Sequence, residues 1–125
     1  MTQGNPQTAP HPKRVLVVDD ERDLVEAMRI VLESEGFGVE TASNGQEALT
    51  ALRGGEPPEL VLLDMMMPVM NGWQLLSEVA KIPALKSVPV VVLTAAGVAG
   101  LAGVVEILRK PIDLELLVEA VGRHV

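Results

Sequence analysis

The chain of 125 residues contains no cysteine. Disulfide bonds, thiolate nucleophiles and zinc sites with cysteine ligands are therefore excluded, and nothing argues for an oxidising compartment, so we expect a cytoplasmic location. Aromatic residues are also scarce, with Phe37 and Trp73 as the whole set. The chain is nevertheless long enough to bury the core of one domain without disulfides or metals.

Basic residues are few as well. Ten lysines and arginines stand against seventeen acidic residues, which gives a net charge of −7, and no basic cluster is longer than Lys13-Arg14. Binding to a phosphate backbone needs a positively charged surface. We therefore expect no direct contact with nucleic acid.

The chain also lacks a convincing membrane span. Residues 87 to 105 carry no charge and approach the length of a bilayer-crossing helix. Pro89, Thr94 and three glycines interrupt this segment, and the run Val90 to Leu93 is typical of a strand. The N-terminus is polar and carries neither a signal peptide nor an anchor, so we interpret residues 1 to 13 as a flexible tail.

Three continuous aliphatic runs predict buried strands. They are VLVV at 15 to 18, LVLL at 60 to 63 and VVVL at 90 to 93. Continuous rather than alternating apolar runs are typical of parallel strands covered on both faces. A weaker strand is predicted at Val39 to Ala42 and a fifth within Val104 to Leu108. Helical patterns separate the strands, so we predict an α/β fold with one doubly wound five-stranded parallel sheet.

The helical segments have recognisable ends. Gly36 is the predicted stop of the first helix, and Asn44 and Asp113 are the predicted N-caps of the second and of the last. The third helix is predicted over Gly72 to Lys81. Its predicted buried residues are Trp73, Leu76, Val79 and Ala80.

Polar residues follow four of the five predicted strands. They are Asp19, Asp20, Asp64, Thr94 and Lys110. Singly, each has an ordinary explanation as a helix cap, a turn residue or a solvated charge. Because the carboxyl ends of parallel strands share one edge of the sheet, we expect these side chains to converge. Clustered carboxylates suit Mg²⁺, and an opposed ammonium suits phosphoryl oxygens, so the set predicts phosphoryl transfer.

Four motifs together resemble the receiver domain of two-component response regulators. They are VLVVDDE (15 to 21), LVLLDMMMPVMNGWQLL (60 to 76), PVVVLTA (89 to 95) and LRKPID (108 to 113). The resemblance implies a receiver domain over residues 14 to 125 with the flavodoxin-like strand order 2-1-3-4-5. It also implies that Asp64 accepts a phosphoryl group from a histidine kinase or a histidine phosphotransfer protein.

The resemblance also assigns the magnesium ligands. Asp20, Asp64 and the backbone carbonyl of Met66 would bind Mg²⁺ directly, and Asp19 would act through a metal-bound water. In the family, the residues two positions after the phosphoacceptor and two after the threonine tune dephosphorylation. Here they are Met66 and Ala96, neither of which can orient water, so we expect a long-lived phosphorylated state.

The remaining site residues follow from the same resemblance. Lys110 would contact the phosphoryl group, and Thr94 would move to hydrogen-bond it. Pro111 would follow a cis peptide bond. Receivers usually carry an aromatic ring three residues before the lysine, where this chain has Ile107, which we expect to be a buried aliphatic residue without the switching motion of a ring.

The segment between Thr94 and Lys110 is shorter than in typical receivers. Only ten residues, TAAGVAGLAG, separate the predicted strands four and five. A parallel crossover needs about ten to twelve residues including its helix. We therefore expect helix four to be short or irregular.

Three function classes compete. The first is a phosphoacceptor receiver without an output domain, a signalling module rather than an enzyme, a monomer or weak homodimer with a possible downstream protein target. The alternative is a receiver-like interaction module that acts without phosphorylation, as Ile107 and the short crossover would allow. A phosphohydrolase with an aspartyl nucleophile is disfavoured because Met66 occupies the position of the required second aspartate.

Overall fold

The computed structural model describes residues 12–95 and 100–125. Within these ranges, five strands alternate with four α-helices and a short 3-10 helix at Pro83–Leu85. The strands are β1 Arg14–Val18, β2 Gly38–Ala42, β3 Leu60–Asp64, β4 Val90–Thr94 and β5 Val104–Arg109. The helices are α1 Arg22–Ser34, α2 Gly45–Arg53, α3 Gly72–Val79 and α4 Leu114–His124. The predicted tail lies, apart from Pro12 and Lys13, outside the described residues.

All five strands are parallel and lie in the order β2-β1-β3-β4-β5, which confirms the predicted fold. In this register Val18 lies beside Leu63, and Asp64 beside Leu93. Parallel strands of similar length end at one edge of the sheet. The residues at the ends of β1, β3, β4 and β5 are therefore neighbours.

The sheet is covered on both faces, as the continuous aliphatic runs predicted. On one face, Leu16, Val18 and Leu63 pack with the buried residues of α2 and α3. On the other face, Val17 and Leu62 pack with the buried residues of α1 and α4. Successive strand residues point to opposite faces, so each central strand contributes to both cores.

The predicted helix caps are present. The Asn44 side chain accepts a hydrogen bond from the Glu47 backbone N–H at 2.9 Å, and Asp113 accepts from the first turn of α4. The Glu47 side chain reaches back to Ser43. Gly36 has a φ of 94°, the left-handed conformation that ends a helix. Local sequence chemistry thus places these boundaries.

Three burial predictions are wrong, those for Trp73, Ala80 and Ile107. Trp73 is 42% exposed, and Leu75 is the buried side chain of the first turns of α3, which ends at Val79 rather than Lys81. Ala80 is also exposed. Ile107 is 36% exposed because β5 is an edge strand and no described element covers that side chain. The apolar pattern of α3 allowed either of two neighbouring helix faces to be buried. Packing against α2 buried the face that contains Leu75.

The crossover from β4 to β5 occupies residues 95 to 103. The expected short helix four falls largely on residues 96–99, outside the described residues, and residues 95 and 100–103 contain no helix. The uncharged segment considered as a membrane span thus contains β4 and enters β5. No helix in the described ranges has the length and apolarity to cross a membrane.

The loop from β3 to α3 is fastened to the start of α2. The Met70 carbonyl accepts a hydrogen bond from the Gly45 N–H at 2.9 Å. Val69 has a φ of 70°, and the Met70 N–H donates to the Pro68 carbonyl at 2.8 Å, so these residues form a γ-turn. A β-branched residue rarely adopts this conformation. The loop that follows Asp64 therefore holds its shape through contacts with α2.

The close approach at Gly45 leads to a stability prediction. A Cβ atom at this position would lie 2.6 Å from the Met70 carbonyl oxygen and 2.7 Å from Met70 Cγ. We expect Gly45→Ala to lower the free energy of unfolding by about 1 to 3 kcal/mol through overpacking. Urea unfolding with an unchanged m-value would measure the loss.

Gly122 provides the matched control. It also lies in a helix, but an added Cβ would meet nothing within 4 Å. Gly122→Ala should therefore raise the free energy of unfolding by about 0.5 to 1 kcal/mol through helix propensity. Changes of the same sign at both positions would contradict the packing explanation.

Candidate functional site

The carboxyl edge of the sheet gathers all five singled-out residues, which follow or end four strands. Asp64 is the last residue of β3 and Thr94 the last of β4. Asp19 directly follows β1, and Lys110 directly follows β5. The parallel register places these ends side by side, and the side chains meet because each strand stops at the same level.

Two carboxylates of this site are buried. Asp19 is 1% exposed and Asp64 is 4% exposed, whereas Asp20 is exposed to solvent. Removing a carboxylate from water is costly unless a cation or hydrogen bonds compensate. The burial of both residues therefore requires a positively charged partner.

Lys110 is that partner. Its Nζ lies 3.0 Å from Asp19 Oδ2, 2.9 Å from Glu21 Oε1 and 3.6 Å from Asp64 Oδ2. The lysine side chain is itself largely buried. One ammonium group thus serves three carboxylates, and it is closer to Asp19 and Glu21 than to Asp64.

Backbone N–H groups hold the two buried carboxylates in place. Asp19 Oδ1 accepts a hydrogen bond from the Glu21 N–H at 2.9 Å, and Asp64 Oδ1 accepts from the Met66 N–H at 3.2 Å. Asp19 Oδ2 is buried without a hydrogen bond of good geometry, so its contact with the ammonium is an ion pair only. This oxygen retains unused capacity to bind a cation.

The charges of the site shift two pKa values. Burial raises the pKa of Asp64 from 3.8 to about 6, and the negative charges of Asp19 and Asp20 act in the same direction, against the Met66 N–H and Lys110. Burial alone would lower the pKa of Lys110, but its hydrogen bond to Glu21 and the negative charges of Asp19 and Asp64 raise that pKa above its usual 10.5. The lysine is therefore cationic at neutral pH, while the pKa of Asp64 lies much closer to neutral pH than that of an ordinary aspartate.

The end of β4 anchors the lysine. The Thr94 carbonyl accepts a hydrogen bond from the Lys110 N–H at 2.8 Å, which continues the pairing of β4 with β5. Thr94 itself is buried. The peptide bond between Lys110 and Pro111 is cis, as the resemblance implied. The threonine thus lies at the same edge as the charged cluster.

The carboxylates suit a small, hard cation. One oxygen each of Asp19, Asp20 and Asp64 can be chosen so that all three lie within 4.8 Å of one another. Oxygen ligands with few protein donors match the preference of Mg²⁺, which keeps several waters. The unused Asp19 Oδ2 and the raised pKa of Asp64 both fit a site that gains from added positive charge. The donor set therefore fits Mg²⁺.

Sequence reasoning missed one contact of this site. Glu21 was part of the VLVVDDE motif but received no role, and the structure places its carboxylate against Lys110. Its position directly after two acidic residues was the available signal. The contact itself joins residues 89 positions apart, so periodicity could not reveal it.

Comparison with known families and curated proteins gives a consistent result. The family model described as "Response regulator receiver domain" matches residues 15–122. The chain is 50% identical over 84 residues to the transcriptional regulatory protein CpxR homolog of Haemophilus influenzae. This match covers 67% of this chain and 35% of that protein. It is 37% identical over 116 residues to the transcriptional regulatory protein GlrR of Escherichia coli. This match covers 88% of this chain and 26% of GlrR. The chain thus matches about a third or less of the length of these relatives.

Solved structures agree with the fold. The chemotaxis response regulator CheY4 of Vibrio cholerae matches with a TM-score of 0.84 and 28% identity over 91% of this chain and 99% of that chain. The response regulator TrrA of Thermotoga maritima was solved in complex with Mg²⁺ and BeF. It matches with a TM-score of 0.79 and 33% identity over 90% of this chain and 99% of that chain.

The raised pKa of Asp64 predicts a pH dependence of stability. An acid with a higher pKa in the folded state favours folding when protonated, so its contribution is present below about pH 4 and is lost as the pH rises through about 6. In buffer with EDTA at pH 7.5, we expect Asp64→Asn to raise the free energy of unfolding by about 1 to 3 kcal/mol.

Urea unfolding from pH 4 to 7.5 tests this expectation. As the pH rises from 4 to 7.5, the free energy of unfolding of the wild type should fall relative to that of Asp64→Asn. Added Mg²⁺ should make this difference in free energy smaller at pH 7.5. Asp23→Asn removes an exposed carboxylate from α1 and controls for net charge. A wild-type and Asp64→Asn pair with parallel pH profiles would contradict the burial argument.

Proposed function

This chain belongs to the response regulator receiver domain family, and we propose that it accepts a phosphoryl group on Asp64 from the histidine of a kinase or phosphotransfer protein. The observation that supports this most directly is the position of the Asp64 carboxylate. It lies at the end of β3, beside Asp19 and Asp20, with the ammonium of Lys110 3.6 Å from its Oδ2. Such a carboxylate can act as a nucleophile whose negative charge Lys110 balances in part.

The proposed step is a displacement at phosphorus. An Asp64 carboxylate oxygen attacks the phosphorus of phosphohistidine and forms a P–O bond, so an acyl phosphate results. The P–N bond breaks, and the histidine leaves with its electron pair on the imidazole nitrogen. Lys110 offers an ammonium to the transferred oxygens. Mg²⁺ would be held directly by Asp20, Asp64 and the Met66 carbonyl, and by Asp19 through a water, and would neutralise charge on the phosphoryl group. Catalysis then consists of positioning and charge compensation.

Thr94 is the proposed reporter of the phosphorylated state. It is buried at the end of β4, and its carbonyl already bonds the backbone of Lys110. A shift of Thr94 toward the phosphoryl group would therefore act on the pairing of β4 with β5. Ile107 stands where relatives carry an aromatic ring, so this chain would transmit the shift through the strands rather than through a ring.

The proposed unit of function is the receiver at residues 14 to 125, with residues 1 to 13 as a tail. The curated relatives are named as transcriptional regulators, and this chain matches only 35% and 26% of the two described above. The net charge of −7 does not favour direct contact with nucleic acid. The chain would therefore act on a downstream protein target, as a monomer or weak homodimer.

A second candidate is a receiver-like interaction module that needs no phosphorylation. The exposed side chains of Val105 and Ile107 on β5 favour it, because they leave an apolar strip that a partner protein could cover. The complete set of charged residues at the sheet edge favours the phosphoacceptor. The two candidates differ in whether Asp64 takes up a phosphoryl group.

Intact-mass spectrometry after incubation with acetyl phosphate tests the phosphoacceptor. We expect a phosphoryl adduct on the wild type that requires Mg²⁺ and is absent from Asp64→Ala, because the nucleophile is lost. Asp113→Ala serves as the control, since it removes a carboxylate that caps α4 and does not contact Lys110. It should retain the adduct. Failure of wild type with acetyl phosphate and with a phosphorylated phosphotransfer protein would favour the interaction module.

Met66 yields a prediction about the lifetime of the acyl phosphate. Its side chain is 66% exposed two residues after Asp64, and a thioether cannot orient an attacking water well. We expect Met66→Asn to speed loss of the phosphoryl group severalfold, measured as decay of the adduct after donor removal. Met66→Leu keeps the side chain apolar and should leave the decay unchanged. Ala96, the other tuning position, lies outside the described residues.

A further inference from the structure

Glu21 contacts the site lysine but has no part in the chemistry proposed above. Its Oε1 lies 2.9 Å from Lys110 Nζ, whereas the nearest Asp64 oxygen lies 3.6 Å away. The carboxylate of Glu21 is 61% exposed, and that of Asp64 is almost fully buried. The ammonium is therefore held nearer to the solvent-side carboxylate than to the phosphoacceptor.

The backbone of Glu21 is fixed, so its side chain reaches Lys110 from a defined position. The Glu21 N–H donates to Asp19 Oδ1 at 2.9 Å, and its carbonyl accepts from the Val25 N–H at 2.9 Å. Glu21 is the N-cap residue of α1, yet its side chain makes no capping hydrogen bond. The side chain is instead engaged with the lysine.

We propose that Glu21 is a positioning residue that, with Asp19, holds the Lys110 ammonium away from Asp64 until an incoming phosphoryl group takes the ammonium over. The proposal rests on Asp64 as the phosphoacceptor. Lys110 has one ammonium group, and each carboxylate that binds it competes with the oxygens of the phosphoryl group. Glu21 is the competitor that lies outside the buried pair.

Two effects of opposite sign follow from this geometry. Because Glu21 draws the ammonium away from Asp64, which would bind Mg²⁺ directly, it reduces repulsion between the two cations and should favour metal binding. Because it competes for the ammonium and adds negative charge beside the site, it should slow the approach and transfer of a phosphoryl group. A residue with a purely structural role would impair both processes when replaced.

Glu21→Gln separates these effects. We expect the Kd for Mg²⁺, measured by isothermal titration calorimetry, to rise about two- to fivefold, the range for loss of one partly exposed ion pair. We expect the initial rate of phosphorylation by acetyl phosphate at saturating Mg²⁺ to rise by a similar factor. A fall in that rate, or an unchanged Kd together with an unchanged rate, would overturn the proposal.

Two further variants test whether the contact or the charge matters. Asp23→Asn removes an exposed carboxylate from the first turn of α1, two residues away, that is not a partner of Lys110. It should change neither quantity. Glu21→Asp keeps the charge but shortens the side chain, so it should resemble Glu21→Gln. Equal changes in Glu21→Gln and Asp23→Asn would assign the effect to net charge and overturn the positioning role.

An NMR measurement without any phosphodonor separates this proposal from the proposed function. In a ¹H–¹⁵N spectrum of lysine ammonium groups, held Lys110 protons exchange slowly and should give a cross-peak in wild type and Asp23→Asn that shifts or disappears in Glu21→Gln. An unshifted peak in Glu21→Gln, or none in wild type, would contradict the proposal. If wild type takes no phosphoryl group, the proposed function fails while this spectrum and the Mg²⁺ titration still decide the role of Glu21.

Discussion

The candidate site depends on the ion pairs of Lys110, which compensate the negative charges of the carboxylates at the carboxyl edge of the sheet. Two carboxylates, Asp19 and Asp64, are buried at the edge of an otherwise aliphatic sheet, and one ammonium faces both of them. Without that positive charge, ionisation of the buried pair would cost several kcal/mol. Even with it, burial and mutual repulsion raise the pKa of Asp64. Lys110 therefore compensates only part of the negative charge of the site. A divalent cation would compensate the rest.

The fold supplies the geometry that makes this compensation possible. Because all five strands are parallel, their carboxyl ends lie at one edge, and residues distant in the chain become neighbours. The Thr94 carbonyl holds the backbone of Lys110, and the loop after Asp64 is fastened to α2 through Met70 and Gly45. The backbone of Lys110 is thus held by β4, and the loop that follows Asp64 is held by α2. Asp64 and Lys110 can therefore adjust mainly by moving their side chains.

The crossover between β4 and β5 distinguishes this chain from the pattern expected for its family. None of its described residues is helical, and the edge strand leaves Val105 and Ile107 partly exposed. The expectation that Ile107 would be buried failed because burial depends on what packs against an edge strand. Strand propensity carries no information about that neighbour. Likewise, the periodicity of α3 could not decide between a face with Trp73 and Leu76 and a face with Leu75 and Leu76, since the two faces share Leu76.

The sequence by itself determined the elements, their order in a parallel sheet and the group of residues at the strand ends, because these follow from local apolar patterns, turn chemistry and the shared edge of parallel strands. Asp64 and Lys110 could be singled out in this way. Only the tertiary structure decided which carboxylates the ammonium contacts and at what distance. The contact of Lys110 with Glu21 and its ion pair with the buried Asp19 Oδ2 depend on side-chain reach and helix placement across the whole chain. Such distances arise from packing between distant segments, and no local pattern encodes them.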